Sequence, residues 1–349
     1  MQHTPSVEIR TIFLMISALG FLFWGCSSSQ RISESNIQNF SESPAYSLIY
    51  IIHGDANYLY HESGQDYKAD EQALERALEV AAKARSGEVF IFHQKRERKI
   101  LGLFPKKDRV FYHFVNGALQ NKEKYSPEDG GFTKEAQIYN ELSASETDRH
   151  FFFYFGHEIP TFTEQRYHAS QPDQKLTTDI FSDHLSTFNS LFDLTVVSTC
   201  NNGNPKFVHA LSDKTDFLIA SPQNLHLSYL TSDKINLLEE DPEINTETLA
   251  NSIAQHSFTQ LSSNLQTMIT VGVYDLSLIR NYSAPLAAKY SVYLEEISAK
   301  PRFTDNIDCA NIPSLRSVLK NHGVHLFYKP PAFGRKANQK THSGWGCKE

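Results

Sequence analysis

The stretch FDLTVVSTCNNGNPKFVHALSDKTDFLIASP, Phe192 to Pro222, reads as a strand, a turn, a short helix and a second strand. The β-branched, apolar run FDLTVVSTC suits a strand buried on both faces. It stops at Cys200, where Asn201, Asn202, Gly203, Asn204 and Pro205 favour a tight turn. PKFVHALSD then has the character of a short helix, and TDFLIASPQ that of the next strand. Two strands joined through a helix pair in parallel. Cys200 therefore falls at the carboxyl end of a strand, the edge at which open α/β sheets carry their sites.

Working outward, the same alternation recurs. YSLIYIIHGD (46–55) is a continuous apolar run of the kind a fully covered strand needs. Residues 69–87 have a helical period, with acids early, Lys83 and Arg85 late, and Gly87 as a stop. EVFIFHQ (88–94) is a second strand. RKILGLF and RVFYHFVNG look like an antiparallel pair, and YSPEDGGF like a loop. A helix is expected from about Lys134 to Leu142. RHFFFYFGHEIP (149–160) gives a further buried strand ending at Gly156-His157. Helices follow around Asp179 to Leu191, near 246–260, near 283–298 and at 314–321, with strands at TMITVGVYD and VHLFYK. The pattern predicts an α/β fold with a mostly parallel sheet flanked by helices on both faces.

The ends read differently. TIFLMISALGFLFWG, Thr11 to Gly25, has the length of a signal-peptide core and is short for a free-standing membrane span. It ends at Gly25-Cys26, followed by three serines, which resembles a bacterial lipoprotein signal in which Cys26 becomes the lipidated first residue. An uncleaved anchor helix is the other reading; either one exports the rest of the chain. Residues 1–26 are thus expected to be the signal, 27–44 a polar tether, 45–330 the α/β domain and 331–349 a C-terminal tail. With a net charge of −7 among 349 residues, a nucleic-acid partner is not expected. Lys329, Arg335, Lys336, Lys340 and Lys348 gather near the end, where a solvated loop accounts for them.

Export alters the cysteine count, since thiols pair in an oxidising compartment. Of the four cysteines, Cys26 is assigned to lipid. Cys309 (NIDCANIP) and Cys347 (SGWGC) both sit in polar, loop-like sequence and form the candidate disulfide. Cys200 is then the odd thiol, either a reactive group or a small buried hydrophobe.

His157 ends one strand and Cys200 ends the next, 43 residues later. Neighbouring strands would bring imidazole and sulfur together, as a cysteine hydrolase requires, while the Asn-Asn-Gly turn can present backbone N–H groups to an oxyanion. This arrangement resembles the caspase-like superfamily of cysteine peptidases. It is most similar to the clostripain family over roughly residues 46–280, with a Cys-Asn-Asn-Gly turn similar to the Cys-X-Asn-Gly of gingipains. The resemblance implies a His157/Cys200 dyad that hydrolyses peptide or protein substrates without cofactor or metal, and an oxyanion site at the backbone of Glu158 and Cys200. Two positions depart from the family. Glu158 stands where those enzymes have Gly after the histidine. Ser198 stands where they have an Asp that binds basic side chains, leaving Ser198 and Asp55 as the candidate pocket residues. A non-catalytic surface lipoprotein that binds a partner through the same fold is the alternative. His53, His61 and His93 form no recognised metal set, SPEDGG lacks the alternating acids of a calcium loop, and no Gly-X-Ser-X-Gly elbow occurs.

Overall fold

The computed structural model describes residues 43–54, 59–62, 65–95, 98–100, 104–106, 109–126, 131–144, 147–161, 176–225, 231–298 and 306–348. Cys26, the expected signal and tether up to residue 42, and Asp55 lie outside them.

Nine strands form one sheet: β1 (Tyr46–His53), β2 (Gly87–Gln94), β3 (Arg109–Val115), β4 (Ala118–Tyr125), β5 (His150–Phe155), β6 (Phe192–Ser198), β7 (Thr215–Ala220), β8 (Ile269–Asp275) and β9 (Val324–Lys329). Their order is β9-β8-β7-β6-β5-β1-β2-β3-β4. The five central strands, β7 to β2, are parallel, and an antiparallel pair completes each edge. All eight residues of β1 and all eight of β2 are buried, which is why both read as unbroken apolar runs.

Each face of the sheet has its own core. One holds Tyr50, Ile52, Phe153, Phe155, Val196 and the helices α1 (Ala69–Lys83) and, later in the chain, Thr246–Asn264. On α1 the buried stripe is mostly alanine (Ala69, Ala73, Ala77, Ala81), so the helix can lie close to the strands. The opposite face carries Ile49, Ile51, Phe152, Tyr154, Val197 and the helix Leu276–Ser298.

Several expectations are corrected. RVFYHFV does not pair with RKILGLF. Arg98–Ile100 makes a small hairpin with Phe104–Lys106, and β3 pairs with β4. Asn116 and Gly117, with φ of 52° and 76°, make the turn between them. β4 went unread because ALQNKEKY is an exposed edge strand without an apolar face. The helix expected to reach Leu191 ends at Leu185. A short 3-10 turn follows, and Asn189 then adopts a left-handed conformation (φ 53°). The helix expected at 314–321 spans only Pro313–Arg316. The C-terminal segment expected to be a tail from residue 331 is part of the domain. Trp345 is fully buried, Gly346–Lys348 pairs with Asn306–Asp308, and a disulfide joins Cys309 to Cys347 with Cα atoms 5.1 Å apart.

Candidate active site

Strands β5 and β6 are adjacent and parallel, and their register pairs Phe155 with Ser198. His157 and Cys200 each lie two residues beyond that pair, at one level of the carboxyl edge. The Gly156 N–H donates to the Ser198 carbonyl at 3.4 Å, tying the two strand ends together just below them.

The Cys200 turn is held from three sides. Asn201 takes the left-handed conformation (φ 59°), which asparagine tolerates better than most residues. Its N–H donates to the Gln223 carbonyl at 3.0 Å, and that of Gly203 donates to the Ser221 carbonyl at 2.9 Å. A Cβ on Gly203 would lie 2.3 Å from the Tyr274 hydroxyl and 2.7 Å from the Pro222 nitrogen, so only glycine fits there. Asn202 is wholly buried and braces the neighbouring loop: its Nδ2 donates to the Ile159 carbonyl, and its Oδ1 accepts from the Ile159 N–H, both at 3.0 Å. Thr199 also donates to that Oδ1. Asn204 caps the helix Pro205–Ala210, accepting from the Phe207 N–H at 3.0 Å with proline at the first helical position. The asparagines of the turn are thus also its fasteners. The amides of Asn201 and Gly203 are committed to carbonyls, contrary to the expectation that the turn presents its N–H groups freely.

Cys200 is partly buried, and its S–H donates to the Leu225 carbonyl at 3.2 Å. Burial pushes the thiol up to about 11. The Leu225 backbone contact opposes the rise, the Glu158 carboxylate adds to it, and the Lys348 ammonium opposes it. Glu158 is ion-paired with Lys348 and accepts a 2.7 Å hydrogen bond from Asn201 Nδ2.

Ser198 faces the core that contains Val196, the same side against which Cys200 packs. A pocket there is lined by Tyr50, Phe153, Phe155, Val196, Ser198 and Ser232. Tyr50 stacks on Phe153 at 4.6 Å and donates to Ser232 Oγ at 3.1 Å. Arg76, exposed and paired with Glu79 at 3.3 Å, also borders it. Among the described residues no carboxylate lines this pocket. His53 is buried at the end of β1, and His93 is paired at 2.8 Å with Asp70. No group of three or more His, Cys, Asp or Glu among the described residues is placed to hold a metal ion. No helix among them is long and apolar enough to cross a membrane.

No family model matches this sequence, and no curated protein does. Solved structures do match. An inactive zymogen C11 protease from Parabacteroides distasonis is 13% identical with a TM-score of 0.58, over 88% of this chain and 92% of that one. A secreted C11 cysteine protease from Bacteroides thetaiotaomicron is 12% identical with a TM-score of 0.57, over 88% and 94%. One from the same organism with an irreversible peptide inhibitor is 13% identical with a TM-score of 0.56, over 87% and 88%. The fold is therefore that of the C11 cysteine proteases.

Proposed function

We propose that the protein is an exported cysteine endopeptidase with Cys200 as nucleophile and His157 as its acid and base. The observation that carries this reading is the register: His157 and Cys200 end adjacent parallel strands at one level, in a fold shared with cysteine proteases. The Cys200 sulfur, its proton passed to His157, attacks the scissile carbonyl and an S–C bond forms. The C–N bond then breaks as the imidazolium protonates the leaving amine. Water hydrolyses the thioester, returning the thiol and releasing the acid. With the Asn201 and Gly203 amides occupied, those of Glu158 and Cys200 are the proposed oxyanion donors.

Ser198 cannot supply the charge that would neutralise a buried Arg or Lys, and no carboxylate is described beside it, which supports a preference for uncharged side chains. One observation favours the alternative, a binding module. The thiol is largely shielded from water, which pushes it up to about 11 and leaves little of the nucleophilic thiolate near neutral pH. A fluorogenic peptide panel separates the two readings. Cleavage after neutral residues that vanishes in Cys200→Ala supports the peptidase, and no cleavage of any peptide supports the binding module. Export and lipidation at Cys26 belong to the same proposal. The mature chain should carry a lipid detectable by mass spectrometry and absent from Cys26→Ala.

A further inference from the structure

A carboxylate, Glu158, follows His157. Two parts of the chain answer it. Asn201, next to the sulfur, donates to Glu158 Oε2 at 2.7 Å. Lys348 pairs with the other oxygen. Each charged side chain is largely shielded, at 23% exposure for Glu158 and 17% for Lys348, so the pair is not an incidental surface contact.

Lys348 is far from this site in the sequence, and several features bring it back. The Cys309–Cys347 bridge fixes the preceding residue. The Gly346 N–H donates to the Gly203 carbonyl at 2.9 Å, inside the Cys200 turn itself. A Cβ at Gly346 would lie 1.8 Å from the Pro222 carbonyl oxygen, so the C-terminal strap, residues 342–348, runs directly against the segment that also receives the Gly203 amide. That segment is held at two further places: His342 Nε2, on the strap, meets Gln223 Nε2 at 2.9 Å, and Asn306 Nδ2, on the strand paired with Gly346–Lys348, donates to Asn224 Oδ1 at 3.2 Å.

We propose that Lys348, delivered by this disulfide-anchored strap, is a positioning residue for Cys200: it pins the Glu158 carboxylate to Asn201 and cancels its charge beside the sulfur. The inference rests on Cys200 being the nucleophile. The charged groups that act on the thiol are Glu158, which disfavours the thiolate, and Lys348, which favours it. Tyr290, buried on the helix behind the strap, is kept neutral by its own burial and feels the same carboxylate. Without Lys348, Glu158 would face the sulfur as an unneutralised anion.

The test is alkylation of Cys200 by iodoacetamide in the full chain, followed by mass spectrometry across a pH series, because the thiolate is the reacting form. In Lys348→Met the midpoint moves up, and labelling below it slows about three- to tenfold, a tenfold change in thiolate fraction corresponding to about one pH unit. Lys348→Arg keeps the wild-type profile. Adding Glu158→Gln to Lys348→Met restores the rate to within about twofold, since the uncompensated charge is then gone; a merely structural role for the strap predicts no such rescue. Wild-type labelling in Lys348→Met, or no rescue by Glu158→Gln, overturns the proposal. Labelling needs no substrate, so a chain that shows these shifts yet cleaves no peptide contradicts the peptidase reading alone.

Discussion

Asn202 shows what the Cys200 turn is made of. Its amide serves both backbone groups of Ile159, on the loop after His157, so one side chain locks the two strand ends together. Asn202→Ala leaves a buried N–H and a buried carbonyl without partners. The expected loss is about 2–4 kcal/mol of stability, read as a lower denaturant midpoint at unchanged slope. Cys200 gives a different signature. Its folded-state pKa, raised to about 11 by burial, means that the folded chain holds the proton more tightly than the unfolded one. That contribution is complete below about pH 9, near the unfolded value, and is lost as pH rises through about 11. Cys200→Ala should therefore show a shallower fall in stability than wild type between these limits, measured by chemical unfolding at stepped pH. Equal slopes would mean that the thiol titrates normally.

At the level of elements, the disulfide sets the strap. The bridge closes a loop with a sequence separation of 38, for which chain entropy gives about 4 kcal/mol. Cys309→Ser with Cys347→Ser should lower the unfolding midpoint accordingly and slow Cys200 alkylation in the direction of Lys348→Met; unchanged alkylation would uncouple the bridge from the site. The central strands were legible because burial on both faces leaves an unbroken apolar run, as in YSLIYIIH and FDLTVVS. Cys200 and His157 were legible because turn residues mark where such runs stop. β4 was not, being polar and half in water. The strap was not either. Trp345 and Cys347 are buried in it, and what holds it is contact with distant parts of the chain, which no local period records. The one sequence signal pointing that way was the pairing of Cys309 with Cys347. It led to the bridge but not to the salt bridge one residue beyond it.

Across the whole molecule, the sheet explains why such different edges surround one site. Five parallel strands present their carboxyl ends together, and antiparallel pairs close both sides. The strand ends nearest the middle, β5 and β6, lead into His157 and Cys200, while Gly346–Lys348 returns to brace the loops that carry them. The site thus draws on residues from Tyr50 to Lys348, and its function stands or falls on whether the thiol and imidazole act as a unit. The direct measurement is covalent capture by a peptidyl ketone electrophile with a neutral side chain at the cleavage position, followed by mass spectrometry of wild type and His157→Ala. The account predicts a single adduct on Cys200, formed at least about a hundredfold more slowly without His157, the scale of a lost acid–base partner. Capture at the rate of an ordinary thiol, or at the same rate in both proteins, would contradict it.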